Sequence, residues 1–262
     1  MNIIKSCIIA VSMYSKIPMP QFEWEEKSMR YALAFFPLVG VIIGALQLAL
    51  FYIWQKSGLV VQIYAALATV LPIVVTGGIH MDGYCDTIDA LSSRQSKERR
   101  LAILKDANVG AFAVIWAVLY FLLCYGAWSS VAQDMVRSEQ TVWMIAAGYA
   151  SSRALSGLAA VFFQNANKKG SLAAFSSPAY KGIVCTVLIL IFAASGALQL
   201  ALSMQTGVLI TTGVLCLFLY YYYMSKKHFG GITGDLAGWF LQCAELLILY
   251  IVVIAASFVK SL

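Results

Sequence analysis

VGAFAVIWAVLYFLLCYGAWSSV, residues Val109 to Val131, carries no charged side chain. A helix needs about 20 apolar residues to cross the hydrocarbon of a bilayer, and this run supplies them without interruption. Six more segments of the same character lie near 31–54, 58–79, 140–163, 182–202, 206–224 and 236–259. Together they predict an all-α fold: a polytopic integral membrane helix bundle of about seven transmembrane helices. Composition agrees, because 61% of the 262 residues are hydrophobic and only 11% are charged, against roughly 25% charged in a typical soluble domain. Such a surplus of apolar side chains must face lipid, which excludes an ordinary soluble enzyme and a disordered chain. No linker, internal repeat or low-complexity stretch divides the chain, so residues 1–262 read as one integral membrane domain.

The flanks of the spans set an orientation. The N-terminal segment and the even-numbered loops hold 14 of the 18 Lys and Arg, the odd loops and C-terminus hold Lys56, Arg137 and Lys260, and Arg153 falls inside a span. Basic residues concentrate on the cytoplasmic side of membrane proteins, so the N-terminus and the even loops are expected to be cytoplasmic. The net charge of +6 is then a topology signal, with no nucleic-acid partner implied. Residues 2–14 lack a cleavage pattern, are broken off by Lys16-Ile-Pro-Met-Pro20, and read as an interfacial or half-inserted helix that would raise the count to eight if it crossed. Trp54, Trp128 and Tyr220-Tyr-Tyr-Tyr223 are expected at the membrane interfaces. Gly40 and Gly44 read as a close helix contact, and the six cysteines form no CxxC pair.

Between the second and third spans the chain reads Thr76-Gly-Gly-Ile-His-Met-Asp-Gly-Tyr-Cys-Asp-Thr-Ile-Asp-Ala90. Asp82, Asp86 and Asp89 stand at i, i+4 and i+7, which on a helix places all three within about 60° of one another. No basic residue between His80 and Leu91 relieves their repulsion, whereas a divalent cation would. Hard oxygen ligands favour Mg²⁺, with Mn²⁺ as the alternative, and Mg²⁺ held by few carboxylates completes its shell with water and substrate phosphates. A diphosphate substrate at the cytoplasmic membrane surface fits that site; the plainer reading is a solvated acidic loop. Gly77 and Gly78 permit close backbone approach. Ser96 to Ala107 reads as a polar helix capped by Ser96, closing on Lys105 and Asp106, a candidate phosphate contact and a candidate fourth ligand or salt-bridge partner. His80 is a candidate for orienting phosphate or accepting a proton, or a structural histidine.

A second polar cluster, Lys226-Lys-His-Phe-Gly-Gly-Ile-Thr-Gly-Asp235, lies on the same expected face. Lys226 and Lys227 beside Gly230 and Gly231 suit an anion-binding turn, or else a positive-inside anchor, and Asp235 suits a helix cap or a site carboxylate. Arg153 and Glu245 lie deep in spans, where ionisable groups are costly; they either pair with each other or line a polar cavity reached by substrate.

These residues carry a resemblance. Lys16-Ile-Pro-Met-Pro20, Phe36-Pro-Leu-Val-Gly40, the Thr76 to Asp89 stretch, Arg100-Leu-Ala-Ile-Leu-Lys-Asp-Ala-Asn-Val-Gly110, and Phe229-Gly-Gly-Ile-Thr-Gly-Asp235 leading to Glu245, occur in the order found in cobalamin synthase. The chain thus resembles the adenosylcobinamide-GDP ribazoletransferase family over nearly its whole length. One departure is Ala90, where the family usually has glycine; alanine favours continuation of the helix. The resemblance implies the last assembly of the cobalamin nucleotide loop: adenosylcobinamide-GDP condenses with α-ribazole, or with α-ribazole 5′-phosphate, and releases GMP. Asp82, Asp86 and Asp89 would hold Mg²⁺, Asp82 or His80 would accept the acceptor's proton, and Gly77, Gly78, Lys105, Asp106, Lys226, Lys227, Gly230, Gly231, Asp235, Arg153 and Glu245 would meet substrate. The implied setting is the bacterial cytoplasmic (inner) membrane, with a homo-oligomer or a complex with other corrin-pathway enzymes left open. Rival readings are a CDP-alcohol phosphotransferase, whose DGxxAR element is missing here, an intramembrane prenyltransferase, and a transporter.

Overall fold

The computed structural model describes residues 2–22, 25–133, 138–167 and 170–260. Lys168, Lys169 and Arg137, all counted in the charge asymmetry, lie outside the described residues. The regular structure of the described residues is all helical, its nearest approach to a sheet being the isolated bridge between Asn165 and Ile232. In order come α1 (Asn2–Tyr14), α2 (Glu26–Met29), a 3-10 turn (Ala32–Phe35), α3 (Phe36–Ser57), α4 (Val61–Thr76), α5 (Ile79–Ser92) and α6 (Lys97–Ile103). Then follow α7 (Ala111–Gln133), α8 (Ser138–Phe162), α9 (Ser171–Ser176), α10 (Lys181–Leu202), α11 (Met204–Phe229) and α12 (Gly234–Lys260).

Five segments are long and apolar enough to cross a membrane: Glu26–Ser57, Ala111–Gln133, Lys181–Leu202, Met204–Phe229 and Gly234–Ala256. The chain is therefore a multi-pass membrane protein. The other two expected spans take different forms. α8 is the core of the bundle, with α3, α10 and α12 packed on it. Because it is buried on nearly every side between Thr141 and Val161, it need not be apolar all round, and it carries Ser151, Ser152, Arg153 and Ser156. α3 meets it at the glycine pair: a Cβ on Gly44 would stand 2.7 Å from the carbonyl oxygen of Ala146, and one on Gly40 would strike that of Tyr149. This is the close contact that the spacing predicts.

The segment expected as one span over 58–79 is a broken helix. α4 stops at Thr76, and Gly77 and Gly78, with φ of +65° and +81°, turn the chain by 94° into α5. The Gly78 N–H reaches back to the Ile73 carbonyl at 2.9 Å, closing the helix end with a left-handed glycine as Schellman-type ends do. Hence α5 does not prolong the span. It lies against the first turns of α12, where a Cβ on Gly83 would stand 2.7 Å from Asp235 Cα and one on Gly238 would stand 2.8 Å from the His80 carbonyl.

Several connections of the expected cytoplasmic side meet one another. Lys16 N–H bonds the Val75 carbonyl at 2.8 Å, Tyr180 N–H bonds that of Arg30 at 3.0 Å, and Ala166 and Ile232 are joined at 2.9 Å. Arg100 meets His228. α1, 13 residues long, is too short to cross and buries Ile9, Ala10 and Val11 while exposing Ile3 and Ile4. The polar helix expected over Ser96 to Ala107 ends at Ile103, although Ser96 does cap it, accepting from Arg99 N–H at 3.4 Å.

Trp54 and Trp128 are buried, gathered with Phe51 around Tyr64. Of the four tyrosines, Tyr220, Tyr222 and Tyr223 are exposed but Tyr221 is buried, stacked on Phe240 at 5.0 Å. All six cysteines are free.

Candidate active site

α5 delivers its carboxylates in the order that the spacing predicts, but they do not share one fate. Asp82 is exposed, and Asp86 and Asp89 are half-buried. Asp89 Oδ2 accepts from Gly110 N–H at 2.6 Å, and Oδ1 from Ala113 N–H at 2.8 Å. It thereby satisfies amide donors that the first turn of α7 would leave open and sets a negative charge on the positive end of that helix dipole. Asp89 is a cap supplied from another helix. We expect Asp89→Asn to destabilise the protein by about 0.5–2 kcal/mol, since an amide oxygen cannot serve both N–H groups while its NH₂ faces one of them. Thermal denaturation of the two single variants, compared with wild type, checks this: Asp82→Asn should leave the midpoint unmoved.

The carboxylate that joins Asp82 and Asp86 comes from α12. Thr233, not Asp235, caps that helix, its Oγ1 accepting from Leu236 N–H at 3.3 Å. Asp235, freed from capping, lies half-buried with the Thr233 hydroxyl on its Oδ2 at 3.3 Å. Burial, and then the charges of Asp82, Asp235 and Asp89, push the Asp86 carboxyl up to about 7. Among the described residues no group of three His, Cys, Asp or Glu side chains is placed to hold a metal ion.

Two cavities meet at Asp235. One, of about 130 Å³, is lined by Asp82, Asp235, His80, Tyr14, Phe36 and apolar side chains of α8 and α12. The other, of about 410 Å³, is lined by Lys105, Asn165, Asn167, Thr233 and Asp235, and the two share Leu172 and Gly234. His80 is buried between Tyr14 and Phe36, with ring centroids at 6.4 and 6.0 Å. That burial, with the Arg153 cation nearby, holds its imidazole neutral, at about 3, which does not suit the proton-accepting role considered for it.

Several other candidates fall outside these cavities. Lys226 and Lys227 stand over the rings of Tyr222 and Tyr223, 5.6 and 5.3 Å from their centroids, as snorkelling lysines do at a helix end. Gly230, at φ +77°, ends α11, and Gly231 is held against the backbone of Gln164 to Ala166, where no Cβ fits. Asp106 lines neither cavity; it accepts from the Asn108 backbone and side chain at 3.0 and 2.8 Å, bonds that hold its carboxyl below the usual range. Gly77 and Gly78 make the bend. Arg153 and Glu245 pair with each other at 2.7 Å in the bundle interior, at 0% and 6% side-chain exposure, and neither lines the two cavities. Sequence reasoning missed Tyr14, Phe36, Thr233 and Asn165; the available signal was that Phe36 and Thr233 sit in a motif already singled out and Tyr14 lies beside one, whereas Asn165 carried none.

A family model described as cobalamin-5-phosphate synthase matches residues 6–253. The chain belongs to the cobalamin-5-phosphate synthase family. Among its relatives, the adenosylcobinamide-GDP ribazoletransferase of Lachnoclostridium phytofermentans is 47% identical over 97% of this chain and 95% of that protein. Proteins of the same name from Clostridium perfringens and Listeria monocytogenes are 33% and 31% identical, over 92% and 95% of this chain and 94% and 98% of theirs. No solved structure matches. Membership of the cobalamin-5-phosphate synthase family makes the chain an enzyme of cobalamin assembly and displaces the CDP-alcohol phosphotransferase, prenyltransferase and transporter readings.

Proposed function

We propose that the chain is an adenosylcobinamide-GDP ribazoletransferase of the bacterial inner membrane, working at its cytoplasmic face. It would transfer the phosphocobinamide group to α-ribazole, or to α-ribazole 5′-phosphate, and release GMP. The observation that carries the reading is the convergence of Asp82 from α5 and Asp235 from α12 where two cavities adjoin, one of them walled by Lys105. The basic residues of the expected cytoplasmic side border the same end.

The residues fit Mg²⁺. Asp89 is taken up by α7, so Asp86 and Asp235 are the carboxylates that would hold it, and Mg²⁺ characteristically takes only one or two carboxylates and fills its shell with water and phosphate oxygens. Burial first, and then the neighbouring carboxylates Asp82, Asp235 and Asp89, raise the proton affinity of Asp86; a bound cation would offset the second of these causes. When bound, the ion would grip the diphosphate and neutralise charge developing on the departing GMP. Asp82, exposed and facing the smaller cavity, accepts the proton as the acceptor oxygen attacks the phosphorus bonded to cobinamide. Lys105 holds the phosphate on the side of the larger cavity, and the bond to the GMP oxygen breaks.

The test uses the purified full chain in detergent with adenosylcobinamide-GDP and α-ribazole, following GMP and the corrinoid product together. Stoichiometric, Mg²⁺-dependent formation of both is expected. GMP without joined product, or equal rates after chelation, would overturn respectively the transfer and the metal.

A further inference from the structure

We infer that the smaller cavity is the seat of the acceptor's heterocyclic base, a planar and largely apolar bicyclic ring, recognised through a hydrogen bond from His80 Nε2. The inference rests on the transferase reading and deepens it.

The cavity is walled by Tyr14, Leu33, Phe36, Ala160 and Leu241, with His80 at its side and Asp82 and Asp235 at its polar edge. Tyr14 and Phe36 lie against each other at 4.2 Å, and both contact the His80 ring, so one wall is a continuous aromatic surface suited to offset or edge contact with a flat ring. Its volume of about 130 Å³ is far below the several hundred Å³ of a site for a whole cofactor. It is close to that of an apolar cavity of ~150 Å³ known to accept benzene. A flat ring, and no whole nucleotide, is what it can take.

The polar inventory chooses among rings. His80 is 5% exposed, and its Nε2 is buried without a hydrogen-bond partner. A neutral imidazole has one N–H; with that proton on Nε2 a buried donor stands open, which costs free energy unless a ligand satisfies it. A guanine ring brings several donors and acceptors along its edges; Asp82, Asp235 and Ser156 could meet one edge, but those turned to Leu33, Ala160 and Leu241 would be stranded. A benzimidazole nucleoside has one free ring nitrogen, an acceptor, and the single donor of His80 matches it. With the base seated among the apolar walls, its ribose leads toward Asp82, where the hydroxyl must lose its proton. The guanosine of the donor is left to the larger, more polar cavity beside Lys105.

The experiment is equilibrium dialysis of the full chain in detergent, against protein-free micelles, with three probes. These are 1-methylbenzimidazole, its isostere 1-methylindole, which lacks the acceptor nitrogen, and guanosine. We expect saturable binding of 1-methylbenzimidazole, about ten-fold weaker binding of 1-methylindole from loss of the one hydrogen bond, and none of guanosine at this site. His80→Phe should weaken 1-methylbenzimidazole about ten-fold and leave 1-methylindole unchanged. Ala160→Leu, and independently Ala237→Leu on the facing wall, should weaken both ring probes by filling the space. In turnover they should raise the acceptor KM while leaving the donor KM in place. Equal affinity of wild type for the two ring probes, equal losses in His80→Phe, guanosine as the displaced ligand, or a rise in donor KM instead would each overturn the assignment. Selective binding of 1-methylbenzimidazole in a chain that turns over no ribazole would sink the transferase reading and leave the base pocket standing.

Discussion

Asp82→Asn is expected to lose turnover by about 10²–10⁴-fold, the usual contribution of a positioned general base, while thermal stability stays at the wild-type value. Asp82 is exposed on the first turn of α5 and, among the described residues, makes no side-chain hydrogen bond that holds the fold together. The substitution keeps its shape and removes only the charge. It also takes one negative charge away from Asp86, so any change in stability should be upward, because like charges on one helix face repel. Rate and melting temperature measured on the same preparation decide the matter. A variant as active as wild type would remove Asp82 from the reaction, and one that fails to insert or melts early would make its role structural.

Breaking the Arg153–Glu245 pair should cost more stability than any other single change. Both side chains are buried among helices, and removing one partner of such a pair leaves an uncompensated charge, typically worth about 3–5 kcal/mol. Arg153→Met and Glu245→Leu are each expected to give a chain that aggregates or is poorly retained after solubilisation. The double variant puts apolar groups in both positions and should regain a monodisperse, folded protein, since replacing a whole buried pair by packed apolar side chains is often neutral. Size-exclusion profiles and denaturation midpoints of the three variants read this directly. Turnover of the double variant then distinguishes the two roles weighed for these residues: activity within a few-fold of wild type makes the pair a lock between α8 and α12, and a folded but inactive double variant returns them to the substrate.

The elements most legible beforehand were those governed by local periodicity. The apolar runs gave the helices α3, α7, α10, α11 and α12, and the i, i+4, i+7 spacing placed Asp82, Asp86 and Asp89 on one face of α5. Ala90 does continue that helix, buried in α5 through to Ser92. The count of spans blurred at two places for physical reasons. α8 is shielded by its neighbours, so its polar residues say nothing about lipid, and the Gly77-Gly78 bend cuts an apolar stretch that hydropathy alone reads as continuous.

From sequence alone came the membrane class, the sorting of basic residues to one end, the family, and the residue types of the site, because each depends on composition, spacing or motif order within a segment. Tertiary structure alone decided partners. It spent Asp89 on the amides of α7, carried Asp235 from the last helix to Asp86, turned Lys226 and Lys227 onto their own tyrosines, and closed Arg153 onto Glu245. Helical spacing fixes which face a side chain occupies, but what that face meets is set by how closely distant helices can approach. Here that approach is set by the glycine contacts of α5 with α12 and of α3 with α8.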